Sequence, residues 1–209
     1  MISLHGTIGH GVALRVVSLD LGDEVVGVTG PNGSGKTTLL RTLAGLLPLV
    51  SGSLTIDGVV VDDAHRFVHP EERLVRYASR DVSARGSVLD ALGFPMRCRG
   101  ASRRAARQAA DRAVGAFGLD DLASLSMAEL SQGQRARVGL AQACVGDSRA
   151  ILLDEPFGGL DVDHRRSTLE ILAREVRRSA RCAVVVSHNA EDLAALCDRI
   201  VSLDELGVA

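Results

Sequence analysis

Glu24-Val-Val-Gly-Val-Thr29, Gly30-Pro-Asn-Gly-Ser-Gly-Lys-Thr37 and Thr38-Leu-Leu-Arg-Thr-Leu-Ala-Gly-Leu-Leu47 follow one another without a break. The first run is short and rich in β-branched residues, as a buried strand is. The last is rich in helix formers and meets Pro48, which predicts a helix whose N-terminus faces the loop. Between them, Gly30-x-x-x-x-Gly35-Lys36-Thr37 has the spacing of a phosphate-binding loop. In such a loop backbone N–H groups wrap the phosphates, Lys36 adds a point charge and Thr37 offers a hydroxyl to Mg²⁺. The helix dipole adds its positive end to the same place. Gly30, Asn32, Gly33, Ser34, Gly35, Lys36, Thr37 and Thr38 are therefore candidate nucleotide contacts. A chance glycine turn would lack the strand before it and the helix after it.

A second segment, Ala150-Ile-Leu-Leu-Asp154-Glu155-Pro156, runs four apolar residues into two acids. That is the pattern of a buried parallel strand delivering carboxylates at its C-terminal end. Beside a phosphate loop, Asp154 is a candidate for the Mg²⁺ shell, and Glu155 for orienting and deprotonating an attacking water.

Upstream lies Leu130-Ser-Gln-Gly-Gln134, followed by the helical pattern of Arg135 to Cys144. This segment resembles the signature motif of the ATP-binding cassette (ABC) ATPases, Leu-Ser-Gly-Gly-Gln, with Gln132 departing at the third position. The resemblance implies that Ser131, Gly133 and Gln134 reach the γ-phosphate of ATP held by an opposite subunit. A serine hydroxyl and exposed amides at a helix start suit an anion, and Ser131 equally suits a helix N-cap. Gly158-Gly-Leu-Asp161 is similar to the family's D-loop. Cys182-Ala-Val-Val-Val-Ser187-His188 is a buried strand ending in a histidine, and the resemblance gives His188 a γ-phosphate contact and a share in holding the attacking water. The likeness runs from the strand before Gly30 to Leu203.

Two departures from the family stand out. Members carry a glutamine at the end of the strand that follows the phosphate loop and its small sheet, where it touches Mg²⁺ and senses a membrane partner. Here that strand is Leu74-Val-Arg-Tyr-Ala-Ser79, the position falls on Arg80, and no glutamine occurs from Ser51 to Arg107. Arginine has no acceptor atom and cannot ligate Mg²⁺, so Arg80 is expected to meet phosphate or a partner, with Asp81 as a possible oxygen ligand. Members also stack adenine on an aromatic ring about twenty residues before the loop, but no Phe, Tyr or Trp precedes Phe67. Only aliphatic and histidine faces near Ile8 to His10 are expected there, and base discrimination should be weak.

The 209 residues fit one domain with ample apolar content, and a net charge of −2 gives no global pull toward nucleic acid or anionic lipid. Without 18 consecutive apolar residues or a signal pattern, a soluble cytosolic chain is expected, and the resemblance implies a peripheral place on the cytoplasmic face of the membrane. Few residues follow the last strand, so no appended regulatory domain is expected. Cys98, Cys144, Cys182 and Cys197 lack metal or redox spacing and read as buried free thiols. Arg97, Arg99, Arg103, Arg104, Arg107 and Arg112 cluster with Asp111 opposing them, a solvated face or a dock for acidic groups.

Segments around Val12 to Leu19 and Ser53 to Val61 predict a small antiparallel sheet, with a hairpin turn at Asp57-Gly58. From Ser87 to Leu125 the pattern changes to Ala- and Arg-rich helices with an N-cap at Ser102. A helix near Asp163 to Arg178, the strand to Val186, a helix near Ala190 to Leu196 and a strand Arg199 to Leu203 complete an α/β alternation. The reading is a P-loop NTPase core with a parallel sheet and the small β subdomain, about 1–86 and 148–209, and a helical insert at about 87–147.

The resemblance implies an ATPase that uses ATP and Mg²⁺, forms a homodimer or pseudo-homodimer around ATP, and powers transport through a separate transmembrane subunit. Two alternatives stay open: an ABC ATPase not coupled to transport, and a weakly hydrolysing regulatory subunit. Nucleic-acid binding is not expected, because basic residues with interleaved aromatics are missing.

Overall fold

A computed structural model describes residues 1–11, 13–79, 86–160 and 162–207. The chain divides into two compact units, Met1–Tyr77 with Ser148–Glu155 and Ala180–Ala209, and Ala78–Asp147 with Pro156–Ser179. Arg80, Asp81 and Asp161 lie outside the described residues.

In the first unit, β1 (Ile2–His10) and β2 (Ala13–Leu21) pair antiparallel, with Ile2 opposite Leu21 and His10 opposite Ala13. Alternation of apolar and polar residues along β1 puts Ile2, Leu4 and Ile8 in the core. Ile8 is thus packed inward, which corrects the expectation that it offers a face to a base. β3 (Val25–Thr29) is the predicted strand before the loop, and α1 (Lys36–Ala44) the helix after it.

The helix starts two residues earlier than the expected Thr38. It stops at Gly45 rather than at Pro48, because Gly45 adopts a left-handed φ of 79° and turns its N–H back to the carbonyls of Arg41 and Thr42.

β4 (Ser51–Ile56) and β5 (Val59–Asp62) form the expected hairpin. Asp57 and Gly58 both take positive φ, 50° and 76°, as a two-residue turn matching the strand twist requires. With β1 and β2 they build a four-stranded sheet in the order β2-β1-β4-β5. The inner strand β1 is not marked in the sequence because Gly6 and Gly9 interrupt its alternation.

β6 (Val75–Ala78), β7 (Ser148–Asp154), β8 (Ala180–Val186) and β9 (Arg199–Ser202) join β3 in a second sheet ordered β6-β7-β8-β3-β9. The pairs β7–β8, β3–β8 and β3–β9 are parallel. The apolar runs of β3, β7 and β8 are buried on both faces, as inner parallel strands are, while Ile200 of the edge strand β9 is exposed. α1 touches β7 and β8 on one side and β1 on the other. Leu39, Leu40 and Leu43 of α1 belong to the one apolar cluster that also includes Leu4, Leu54, Leu152 and Val184. The phosphate-loop helix is therefore clamped between two sheets.

Arg73 adds a buried polar brace. Its guanidinium donates to the carbonyls of Thr42 and Val68 and pairs with Asp62 at 3.3 Å.

In the second unit, α2 (Val88–Cys98) begins at a capping box between Ser87 and Asp90. α3 (Arg103–Phe117) begins at the expected N-cap Ser102, whose hydroxyl accepts from the Ala105 N–H. α4 (Gln132–Ala143) and α5 (Val162–Ser179) complete that unit. α6 (Ala190–Leu196) lies in the first.

Two smaller expectations are corrected. Cys98 is exposed, and only Cys144 and Cys182 are buried. The basic cluster is opposed by more than Asp111: Arg97 pairs with Asp90, and Arg99 donates to the Asp147 carbonyl.

Candidate functional site

The loop between β3 and α1 owes its shape to glycine. Gly30, Gly33 and Gly35 take φ of 149°, 78° and 104°, a region closed to most side chains. Gly35 then caps α1 without a side-chain bond, and among the described residues the first turn of α1 carries no acid. The amides of that turn and their dipole are left for an external anion.

Lys36 is buried, and its ammonium donates to the carbonyls of Gly30 and Pro31, each at 2.8 Å. That leaves its third N–H over the loop. Ser34 Oγ is buried without a partner, a polar atom that a phosphate oxygen would satisfy.

At the end of β7 the chain turns sharply. Asp154 is buried, and Thr37 Oγ1 donates to its Oδ1 at 3.2 Å. These two oxygens come from the first turn of α1 and the end of β7, and with phosphate oxygens they would make the hard, partly hydrated ligand set that Mg²⁺ prefers.

Tyr77 on β6 donates to the other oxygen, Oδ2, at 2.9 Å. Burial, and then the Asp154 charge, push the Tyr77 phenol pKa up, so it stays a donor at neutral pH. Sequence reasoning gave Tyr77 no role. The signal available was that the chain has one tyrosine, set in a strand beside the acidic one.

Glu155 has a left-handed φ of 51° while its N–H still reaches the Val186 carbonyl at 2.9 Å. A non-glycine residue there stores about 1 kcal/mol of strain. His188 Nδ1 lies 2.8 Å from Glu155 Oε2. The histidine is fixed at both ends, by β8 before it and by Asn189 after it, whose side chain caps α6 through the N–H groups of Glu191 and Asp192. The structure thus gathers Gly30, Lys36, Thr37, Asp154, Glu155 and His188 within one unit.

Ser131, Gly133 and Gln134 sit in the other unit, at the start of α4. Ser131 is its N-cap: Ser131 Oγ accepts from the Gln134 N–H, and Gln134 Oε1 accepts from the Ser131 N–H at 2.8 Å. The capping reading of Ser131 is therefore realised, and the hydroxyl proton of Ser131 is not used by it. A Cβ at Gly133 would come 3.3 Å from the Gly159 carbonyl, and Gln132 flanks Gly159. Glycine at 133 keeps this turn close-packed.

Fold and loop together define a P-loop nucleotide-binding α/β protein. The chain belongs to the ABC transporter family, whose model matches residues 14–158. Similar proteins include the Fe(3+) ions import ATP-binding protein FbpC of Streptomyces coelicolor, 36% identical over 217 residues, covering 100% of this chain and 61% of that protein. Another is the thiamine import ATP-binding protein ThiQ of Shigella flexneri, 36% identical over 181 residues, 85% of this chain and 76% of that protein. The chain therefore spans about three-fifths of the length of the iron-import relative. The fold is shared with the dimeric ATP-binding cassette MJ0796 in a post-hydrolysis state with ADP and Pi, at a TM-score of 0.81 and 24% identity, over 97% of this chain and 94% of that one.

Proposed function

We propose that this chain is the ATP-hydrolysing subunit of an ABC transporter, closing as a dimer around ATP and driving a separate transmembrane subunit. The observation that carries this reading is the meeting of Thr37, Asp154, Glu155 and His188 beside a glycine-shaped loop. Relatives named as import ATP-binding proteins support the transport coupling and favour import. Their substrates differ from one another, so none is carried to this chain. No described helix is long and apolar enough to cross a membrane, in keeping with a peripheral subunit on the cytoplasmic face.

In this reading the amides of Gly33 to Thr37 and the Lys36 ammonium bind the β- and γ-phosphates. Thr37 and Asp154 would hold Mg²⁺, which when bound offsets the charge on the phosphate oxygens. Glu155 accepts a proton from water in line with the γ-phosphate, and His188 holds the Glu155 carboxylate in the orientation that does so. Ser131, Gly133 and Gln134 of the opposite subunit complete the far side of the γ-phosphate. ATP-bound closure and post-hydrolysis opening then supply a two-state element that a membrane subunit can read.

Steady-state phosphate release by wild type and Glu155→Gln tests the chemistry. The substitution should lower the rate by about 100-fold or more while ATP binding persists. Equal, background-level rates in both proteins would refute the reading. Recovery of a multi-span protein with the chain from detergent-solubilised membranes tests the coupling, and recovery with soluble proteins alone would replace it by an uncoupled ABC ATPase.

A further inference from the structure

Asp154 is held on both of its oxygens. A carboxylate at a strand end can rotate about its last torsion, and which oxygen faces a metal depends on what stops that rotation. Thr37 Oγ1 bonds to Oδ1 at 3.2 Å and Tyr77 Oη to Oδ2 at 2.9 Å, so the plane of the group is fixed from α1 on one side and from β6 on the other. The Tyr77 phenol is half-buried on β6, and its hydroxyl donates to Asp154. An ionised carboxylate can only accept, so the phenol proton goes to Asp154.

We propose that Tyr77 is a positioning residue for the Mg²⁺ site, its hydroxyl on Asp154 Oδ2 turning Oδ1 toward Thr37 and the metal. The inference rests on the nucleotide-site reading above and deepens it. Tyr77, Asp154 and Thr37 form one hydrogen-bonded row linking β6, the end of β7 and α1, in which Tyr77 touches a residue that would hold the metal and not the metal itself. Outer partners of this kind set metal affinity through the ligand they hold.

The test is an electron paramagnetic resonance titration of Mn²⁺ into the full chain at saturating ADP, comparing wild type with Tyr77→Phe. ADP affinity in EDTA is measured alongside. Mn²⁺ binding should weaken by about 10-fold, with ADP affinity in EDTA unchanged. Unaltered Mn²⁺ affinity overturns the inference, and so does an equal loss in Mn²⁺ and in EDTA, which would mark the phenol as packing alone. If wild type itself binds no ADP, the nucleotide-site reading fails instead, and the two failures are told apart. Should Tyr77→Phe not fold, Tyr77→Leu removes the same hydroxyl. Weaker Mn²⁺ binding supports the inference, and unchanged binding overturns it.

Discussion

His188 Nδ1 stands 2.8 Å from Glu155 Oε2, although the two residues follow different strands of the parallel sheet. Because Asp154 is opposite Val186 in the ladder, a carboxylate one residue past β7 and an imidazole two residues past β8 meet at the same sheet edge. The histidine is the more exposed of the two, with side chains 67% and 22% accessible, and in the proposed reaction it holds the carboxylate. His188→Ala should lower the hydrolysis rate by about 100-fold and leave equilibrium ATP binding intact. Single-turnover phosphate release beside a binding titration checks both, and a wild-type rate would remove His188 from the reaction.

The Arg73–Asp62 pair lies almost wholly out of water, with side chains 0% and 3% accessible. Burial pulls the Arg73 pKa down and Asp62 pushes it back. Asp62 also accepts from the Leu49 N–H, and Arg73 closes the last carbonyls of α1. Arg73→Met leaves a carboxylate buried beside orphaned carbonyls, and removal of one partner from such a pair costs about 3–5 kcal/mol. Replacing both residues by apolar ones should recover much of that loss, and a double-mutant cycle by urea unfolding measures it. A single substitution with no effect on the midpoint would show the brace to be idle.

Much of this architecture was legible in the chain itself, and the places where it was not share a cause. Val25 to Thr29, the loop and α1 announce themselves because composition changes abruptly at each border. Asp57-Gly58 and Ser102 do so because turn and cap chemistry is local. β1 was hidden because its signal is period-two alternation, and Gly6 and Gly9 blank two of its positions. Arg73 and Tyr77 were hidden for a different reason: their partners, Asp62 and Thr42 for one and Asp154 for the other, are brought to them by the packing of α1 between two sheets. Nothing in the spacing of those residues encodes that meeting. The expected roles of Arg80, Asp81 and Asp161 fall outside the described residues.

Gly6 illustrates what the blanked positions are for. It stands opposite Gly52 in the β1–β4 register, and a Cβ there would overlap the Ser51 carbonyl. Backbone cannot swing aside as a side chain can, so Gly6→Ala must force the two strands apart, at about 3 kcal/mol. Gly11 supplies the contrast. Its φ is 60°, but a Cβ there would meet nothing within 4 Å, so Gly11→Ala should cost only the left-handed strain, about 1 kcal/mol. Urea midpoints of the two variants should rank in that order, and the reverse order would refute the steric account.

Glu24 and Arg199 tie the start of β3 to the start of β9, with Arg199 Nε donating to Glu24 Oε2 at 2.9 Å. The hydrogen bond from Arg199 is the largest influence on Glu24 and holds its carboxyl pKa below the ordinary value of 4.5, against the opposing effect of burial. A depressed folded-state pKa means that the unfolded chain binds the proton more tightly, so the pair's contribution is complete above the unfolded value. It fades as pH falls through the lower folded one. Both side chains are partly exposed, at 26% and 40%, and solvent screening limits the pair to about 0.5–1 kcal/mol. Arg199→Gln should therefore lower stability by about that amount near pH 7, and by less in concentrated salt. The gap between variant and wild type should begin to narrow as pH falls below about 4 and close beneath the lowered folded-state pKa, where Glu24 is neutral in both. Urea unfolding at the two pH values reads the difference, and a gap that stays constant between them would mean that Arg199 acts through its bond to the Asp20 carbonyl and not through the Glu24 charge.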